Sequence, residues 1–391
     1  LVHAQGCVEL ARVVKAVHPN TPVIVGGLSA TYYCEELLSS YPDVDFVIRG
    51  DSTEKPLVRL VETFESSRDL SNVPNLAWRD NNHVRMNPLS YVPENLDDLK
   101  IDYESMVKHV ARHLDIEGAL PYDSWLEYPF SALITCKGCM HNCVTCGGSN
   151  ATFKRICGRE KPAFKSPELL VEEMLIIEQY VKGPIFLLGD FRQAGEKYAT
   201  ELLDRIKKER VKNPIVFELF TPISDDLLTA MANACTQFNI EISPETHDEQ
   251  VRGLQGRPYY NRDLENTLKK AVQHNCGKID VFFMIGLPGQ TAESALETVS
   301  YCEKLLTDQR ENGKVYPFIS PLAPFLDPGS LAFENPDKYG YRLFSTSLRD
   351  HVSAMSMPSW KYCLNYSTIW MSRDDILDAT YRCALGLNEV K

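Results

Sequence analysis

The residues of this sequence most suited to chemistry are cysteines that lie close together in one short segment. Four of the chain's twelve cysteines fall within residues 136–146. Three of them, Cys139, Cys143 and Cys146, have the spacing Cys-x3-Cys-x2-Cys, whereas a structural zinc site needs a second Cys or His pair, which does not follow here. Cysteine thiolates are the ligands of iron–sulfur clusters, and three thiolates leave one iron of a four-iron cluster open to substrate. We therefore predict a metal centre at these three residues, with Cys136 as a packing thiol.

The elements that must position these cysteines form a regular alternation of strands and helices. From residue 131 to residue 320, six predicted strands are separated by helical patterns, which indicates a parallel sheet. A full eight-unit barrel needs about 250 residues. We therefore predict an α/β fold with a partial (β/α)6 TIM-like barrel, in which the cysteine segment is the loop after the first strand. The strand candidates are Ala132–Thr135, Ile185–Gly189, Ile215–Phe220, Asn239–Ser243, Val281–Gly286 and Pro317–Ser320.

The cysteine motif, on the loop after the first strand of a six-unit barrel, resembles that of the radical S-adenosylmethionine (SAM) enzymes. The resemblance implies that Cys139, Cys143 and Cys146 bind three irons of a [4Fe–4S] cluster and that the fourth iron binds the methionine part of SAM. In that family an electron from the cluster cleaves SAM and releases a 5′-deoxyadenosyl radical, which abstracts a hydrogen atom from the substrate. The resemblance therefore also implies an electron donor such as flavodoxin or ferredoxin.

Three further segments resemble SAM-binding elements of the same family, in the expected order along the chain. Gly189 and Asp190, at the end of the second strand, are similar to an element that holds the SAM amino group. Glu245, at the end of the fourth strand, is similar to an acidic residue near the SAM ribose. Gly286 begins a turn similar to one that flanks the adenine, with Gln290 in place of the family's usual acid. The residues alone leave open another interpretation, in which the two acids merely favour helix starts.

Residues 1–95 resemble the C-terminal part of a Rossmann-like cobalamin-binding domain, which precedes the barrel in one class of radical SAM enzymes. A predicted strand there ends in Gly26 and Gly27, and such a backbone at a sheet edge allows a ligand to approach closely. The resemblance implies cobalamin as a further cofactor. Because the chain begins at Leu1, within such a domain, we expect a fragment lacking the domain's start. The other predicted divisions are a connector at 96–130, the barrel at 131–320 and a C-terminal capping and substrate segment at 321–391.

The composition argues against several classes of protein. Of the 391 residues, 44% are hydrophobic and 24% are charged, which is an ordinary globular balance. No apolar run approaches the ~20 residues of a membrane-spanning helix. The net charge of −12 disfavours nucleic acid and anionic membrane as partners. We expect a cytoplasmic protein that acts on a small-molecule or otherwise unidentified substrate.

Three hypotheses for the function follow from these features. The first is a radical SAM enzyme linked to cobalamin, which carries out methyl transfer or rearrangement. The second is a radical SAM enzyme that does not use cobalamin. The third, from a different class, is a non-catalytic zinc or iron–sulfur protein held together by the cysteine motif.

Overall fold

Two sheets organise the chain, and the N-terminal sheet is the smaller. The computed structural model describes residues 1–66, 69–81, 83–114, 118, 120–308, 313–321 and 325–390. The N-terminal sheet has the order β1-β2-β3-β4, with β1 and β2 parallel and the other neighbours antiparallel. Its elements are α1 (Ala4–Val17), β1 (Ile24–Gly26), α2 (Leu28–Tyr32), α3 (Cys34–Ser40), β2 (Phe46–Ile48), α4 (Glu54–Glu65), β3 (Leu76–Asp80) and β4 (His83–Met86), followed by α5 (Tyr103–His113).

The larger sheet is the predicted barrel, because its six strands are all parallel and follow one another in chain order. The order is β5-β8-β9-β10-β11-β12, and β5 and β12 are not paired with each other among the described residues. This confirms the predicted α/β fold with a partial (β/α)6 barrel. The strands are β5 (Ser131–Ile134), β8 (Ile185–Leu188), β9 (Ile215–Leu219), β10 (Phe238–Glu245), β11 (Ile279–Ile285) and β12 (Val315–Pro321). The helices between them are α6 (Asn150–Cys157), α7 (Pro167–Tyr180), α8 (Glu196–Glu209), α9 (Asp225–Ala234), α10 (Glu249–Gln255), α11 (Asn261–Gln273) and α12 (Ala292–Asp308).

Side chains alternate between the two faces of the barrel strands. Along β9, Ile215, Phe217 and Leu219 are fully buried in the main hydrophobic core, together with residues of the surrounding helices. Val216 and Glu218 are half-buried and point to the opposite face, which is the interior of the barrel. Along β9, apolar residues therefore face the helices, and Glu218 brings a carboxylate to the interior.

The residues after β12 form a second core that covers one end of the barrel. A short antiparallel pair, β13 with β14, places Tyr341 and Tyr366 in this core. The hydroxyl of Tyr341 donates to the carbonyl of Gly286 at the end of β11 (2.8 Å). The elements are α13 (Leu331–Glu334), α14 (Pro336–Tyr339), β13 (Tyr341–Leu343), α15 (Leu348–Met355), α16 (Trp360–Cys363), β14 (Tyr366–Thr368) and α17 (Arg373–Val390), and a two-residue pair lies earlier, β6 (Cys136–Lys137) with β7 (Ala163–Phe164).

Buried polar contacts join the N-terminal sheet to the rest of the molecule. The Arg159 guanidinium forms an almost fully buried ion pair with Asp51 and also donates to the carbonyl of Pro93 (2.9 Å). Glu36 accepts hydrogen bonds from the first two backbone N–H groups of α15, where a carboxylate also suits the helix dipole. The N-terminal sheet and its helices are thus attached to the segment after α6 and to α15, and the domain boundaries at residues 95, 130 and 320 stay predictions.

None of the helices in the described part of the chain combines the length and the apolar character that a bilayer crossing requires.

Candidate functional site

The cysteine segment is a folded loop between β6 and α6. Ser149 caps α6 by accepting a hydrogen bond from the backbone N–H of Thr152, as expected of a serine at this position. The side-chain amide of Asn150 donates to the carbonyl of Cys139 (3.1 Å), and its backbone N–H donates to the carbonyl of His141 (2.8 Å). The first helical turn therefore holds the loop in a fixed shape.

All three cysteines of the motif line one cavity of about 590 Å³ at the C-terminal ends of the barrel strands. Cys143 is buried, Cys139 is half-buried, and Cys146 is the most accessible from the cavity. Gly189 and Glu245, two of the predicted SAM-binding residues, also line it, whereas Asp190 and Gly286 do not. The remaining lining residues are Ile134, Cys136, Lys137, Gly138, His141, Thr145, Gly148, Ser149, Phe153, Leu188, Gln193, Glu218, Phe220, Ser243, Gln255, Arg257, Met284, Phe325 and Asp327.

Each of the three sulfur atoms receives a hydrogen bond from a nitrogen. The backbone N–H of His141 donates to Cys139 Sγ (3.4 Å), and that of Gly148 donates to Cys146 Sγ (3.2 Å). Cys143 Sγ accepts from the Nε of Arg257 (3.3 Å). Donors of this kind match the negative charge that a thiolate keeps when it binds iron, and they tune the potential of a cluster. The residues present therefore fit an iron–sulfur cluster.

The surroundings of Cys139 and Cys146 favour the neutral form of these two thiols until a cation binds. Cys146 is open to the cavity, but protein surrounds that cavity, and this burial raises the pKa of Cys146 to about 12; the charges of Asp327 and Cys143 add to this effect. Burial also raises the pKa of Cys139 above its ordinary value. Because a metal-bound thiol is deprotonated, loading of the site would release protons.

Position 189 requires glycine, because neither its backbone conformation nor the surrounding space suits a side chain. Its φ is 93°, a conformation that favours glycine, and an added Cβ would lie 2.6 Å from Cys136 Sγ. The N–H of Gly189 donates to the Glu218 carboxylate (2.5 Å). Cys136 thus lies directly against the strand end and also lines the cavity, and its role as a packing thiol stays a prediction.

The carboxylate of Asp190 is fully engaged by neighbouring groups of the protein. It accepts from the Arg192 Nε (2.8 Å) and from the backbone N–H of Phe220 (3.0 Å), and only 2% of Asp190 is exposed. Its predicted contact with the SAM amino group stays a prediction. Glu218, which accepts from Gly189, is the neighbouring carboxylate that does face the cavity.

Glu245 combines a strained backbone with an unpaired oxygen. Its φ is 70°, which is uncommon for a residue with a side chain, and strain of this kind is concentrated at functional sites. Its Oε1 lies 3.1 Å from Arg257 Nη2, whereas Oε2 is buried and has no hydrogen-bond partner among the described residues. A ligand hydroxyl would satisfy that oxygen, so the side chain suits the predicted position near a ribose, which stays a prediction.

Gly286 lies beside the cavity, and its own surroundings are filled by protein. An added Cβ would lie 2.5 Å from the Tyr366 hydroxyl, at a φ of 99°. Its N–H donates to Gln290 Oε1 (2.8 Å), and Gln290 Nε2 donates to the carbonyl of Met284 (3.1 Å). An amide is needed here, because a carboxylate has no N–H for the Met284 carbonyl. The predicted approach of adenine to Gly286 stays a prediction.

Gly26 and Gly27 line a separate cavity of about 220 Å³ in the N-terminal sheet. A groove of about 560 Å³ lies next to it and shares His3 and Cys7 with it. Phe325 lines both this groove and the cavity that contains the cysteines. The N-terminal cavity, the groove and the cysteine cavity therefore follow one another along one side of the molecule.

Sequence reasoning missed four polar side chains that shape the cysteine loop. Gln193 accepts from the backbone N–H of Met140 (2.7 Å), and Asp327 accepts from that of Gly147 (2.9 Å). Each comes from a distant part of the chain, so no local spacing indicates it. The other two are Gln255, which donates to the Thr145 hydroxyl (2.7 Å), and Arg257.

The family model of the radical SAM superfamily matches residues 133–302 of this chain. This family consists of enzymes, and its match begins within β5 and ends within α12. An uncharacterized methyltransferase of Pyrococcus horikoshii, PH0819, is 27% identical over 307 residues, which make up 76% of this chain. The chain spans 61% of the length of that relative.

Two solved structures share the fold across nearly the whole chain. The radical SAM methyltransferase TsrM of Kitasatospora setae, with cobalamin and a [4Fe–4S] cluster bound, has a TM-score of 0.64 and 14% identity, covering 95% of this chain and 76% of TsrM. The cobalamin-dependent SAM radical enzyme OxsB has a TM-score of 0.62 and 14% identity, covering 97% of this chain and 56% of OxsB. At this identity the likeness is one of fold, and it extends beyond the barrel to the N-terminal sheet.

Proposed function

We propose that this protein is a cobalamin-linked radical SAM enzyme that modifies a small molecule or another unidentified substrate by methyl transfer or rearrangement. Cys139, Cys143 and Cys146 would hold a [4Fe–4S] cluster, which supplies the electron for reductive cleavage of SAM and hence for hydrogen abstraction. A reduced protein such as flavodoxin or ferredoxin would deliver that electron in the cytoplasm.

The observation that carries the proposal is the meeting of separate chain segments around one cavity. The three thiols face the same space of about 590 Å³ as Gly189 and Glu245, which come from the ends of two other barrel strands. Glu245 offers a buried carboxylate oxygen with no partner in the part of the chain that the structure describes, suited to a hydroxyl donor. Gly189 donates its N–H to Glu218, whose carboxylate faces the same cavity. These residues would bind and orient SAM beside the thiols.

The proposal is tested by anaerobic reconstitution with iron and sulfide, followed by spectroscopy and product analysis. We expect a [4Fe–4S] signal that SAM perturbs, and 5′-deoxyadenosine after chemical reduction. Cys143→Ala should lose both cluster and cleavage, because it removes one of three ligands. Cys235→Ala is the matched control, since Cys235 follows α9, away from the cysteine cavity, and should keep both. Colourless protein with stoichiometric zinc would instead support the metal-protein alternative.

The link to cobalamin is supported by the N-terminal side of the molecule. The groove next to Gly26 and Gly27 is about 560 Å³, and Phe325 lines both it and the cysteine cavity. A planar cofactor in that groove would lie next to the cluster site. TsrM and OxsB, whose fold this chain shares over its N-terminal sheet as well, are cobalamin enzymes.

The cobalamin link is tested by the corrin absorbance of purified protein, before and after addition of cobalamin. We expect a bound corrin spectrum. Gly27 has φ 97° and ψ 176°, a backbone region that is essentially restricted to glycine, so Gly27→Ala should weaken corrin binding. Gly195→Ala is the matched control, because Gly195 has the same kind of backbone conformation (φ 95°, ψ 167°) just before α8 and lines neither the N-terminal cavity nor the groove. A competent cluster in a protein that binds no corrin would favour the radical SAM enzyme without cobalamin.

A further inference from the structure

We infer that Arg257 is a positioning residue that raises the reduction potential of a cluster on the cysteine loop, and that Glu245 opposes it. The inference rests on the proposed function, because it concerns the cluster that the three thiols would hold. It assigns to one guanidinium and one carboxylate opposite electrostatic effects on the same metal centre.

All the nitrogens of Arg257 are held in fixed directions. Its Nε donates to Cys143 Sγ (3.3 Å), and its Nη2 lies 3.1 Å from Glu245 Oε1. Its Nη1 donates to the carbonyls of Ser243 (2.8 Å) and Phe220 (3.1 Å), the latter at the end of β9 and the former within β10. The guanidinium also lies over the Phe220 ring, 5.0 Å from its centroid. The planar fork of arginine therefore bridges two barrel strands and the cysteine loop.

The backbone at Arg257 brings the residue close to the loop. Gly256, the preceding residue, has a φ of 101°, and an added Cβ would lie 2.9 Å from the carbonyl of Asn142. The end of α10 is thus in direct contact with the segment that contains Cys143. Only a tenth of the Arg257 side chain and 4% of the Glu245 side chain are exposed, so solvent screens their charges weakly.

The direction of the effect follows from charge. Reduction adds one electron to a [4Fe–4S]2+ cluster and gives [4Fe–4S]+, with no change in ligands. The added negative charge is stabilised by a nearby cation and by a hydrogen bond to a ligand sulfur, and it is destabilised by a nearby carboxylate. Arg257 supplies the first two, and Glu245 supplies the third. If the two residues acted only by weakening the hydrogen bond to the Cys143 thiolate, their effects on the reduction potential would not be opposite in sign.

The test is a redox titration of reconstituted protein, without SAM, in which dithionite supplies the electrons and electron paramagnetic resonance follows the [4Fe–4S]+ signal. We expect Arg257→Gln to shift the midpoint potential to more negative values and Glu245→Gln to shift it to more positive values. Arg257→Lys keeps the charge and loses the Nε hydrogen bond, so its shift should be smaller than that of Arg257→Gln. Arg205→Gln is the control, because Arg205 pairs with Glu168 of α7 and Glu201 of α8 outside the cysteine cavity and should leave the potential unchanged.

The outcomes separate this inference from the proposed function. Opposite shifts in the Gln variants support it. The inference is overturned by equal potentials, by shifts of the same sign, or by a comparable shift in Arg205→Gln. In each of these cases, a SAM-responsive cluster in the wild type leaves the proposed function standing. If Arg257→Gln does not assemble a cluster, Arg257→Lys and Glu245→Gln decide, and unchanged potentials in both overturn the inference. A wild-type protein that holds no cluster overturns both.

Discussion

Gly189 and Cys136 form a single packing unit at the end of the second barrel strand. From the sequence, glycine suits this position because a cofactor could approach the backbone closely. The structure adds a second reason. The thiol of Cys136 occupies the space that a side chain at Gly189 would need. Both residues line the cavity that also contains Cys139, Cys143 and Cys146, so a change in their packing should alter the cysteine loop.

We expect Gly189→Ala to lower the free energy of unfolding by about 1–3 kcal/mol, because alanine would be strained at this φ. It should also lower the amount of cluster bound after reconstitution, because Cys136 must move. Adding Cys136→Ala should restore part of the cluster content while the backbone strain remains. Urea unfolding and iron analysis measure the two effects.

Gly253→Ala is the control for this substitution. Gly253 lies within α10, and an added Cβ meets no atom within 4 Å. Alanine is the better helix former, so this variant should be more stable than the wild type by about 0.5–1 kcal/mol. Gly189→Ala with wild-type stability would contradict the account of the strand end.

At the scale of elements, three neighbouring barrel strands place a row of carboxylates in the interior. The register pairs Glu218 of β9 with Glu241 of β10, and Glu241 with Asp280 of β11. Burial, followed by the charges of Glu218 and Asp280, raises the pKa of Glu241 to about 7, and Lys278 partly offsets this. The row arises only from strand pairing, because its members are far apart in the chain.

We expect the protein to lose stability as the pH rises from about 4.5 to about 7, because of Glu241. In this range the folded state holds a proton on Glu241 that the unfolded state releases, so a rising pH favours unfolding. Glu241→Gln should flatten this part of the profile and raise the free energy of unfolding near neutral pH. Urea unfolding at a series of pH values measures it. A variant with the same pH profile as the wild type would show that Glu241 ionises normally.

At the scale of the whole molecule, the N-terminal sheet is joined to the barrel by the ion pair of Asp51 and Arg159. The exposed fractions of these side chains are 6% and 2%. The Arg159 side chain also packs on Gly138, which lies just before the ligand cysteines, where an added Cβ would be 2.8 Å from Arg159 Cδ. Arg159 therefore contacts both the N-terminal sheet and the cysteine loop.

We expect Asp51→Asn to lower the free energy of unfolding by about 3–5 kcal/mol, because it leaves the buried Arg159 charge without its partner. The N-terminal sheet should also become more sensitive to limited proteolysis. Both are measured on the purified protein by denaturant unfolding and by timed digestion.

Asp98→Asn is the matched control for the buried pair. It removes the ion pair of Lys55 and Asp98, which also joins the N-terminal sheet to the following segment but is more than half exposed on both sides. Exposed pairs contribute about 0–1 kcal/mol, so this variant should be close to the wild type. Similar losses in the two variants would mean that burial does not govern this interface.

The sequence by itself determined the class of the protein and the order of its barrel. Cys139, Cys143 and Cys146 are close in the chain, so their spacing alone indicates a three-ligand site. The strands were predictable because alternation between buried and interior residues is a local pattern. The end of β10 was less predictable, because the strand runs to Glu245 and not to the predicted Ser243. Its pairing with β11 becomes irregular after Ile242, and no local pattern in the sequence shows this.

Only the tertiary structure decided which polar side chains surround the cysteines. Asp190 has the position of a ligand-binding acid in the chain, yet Arg192 and Phe220 occupy its carboxylate. Arg257 carries no motif, yet the end of α10 places it between Cys143 and Glu245. Spacing along the chain specifies residues that act together within one loop. Contacts between loops depend on how helices and strands pack, and so they emerge only when the barrel is assembled.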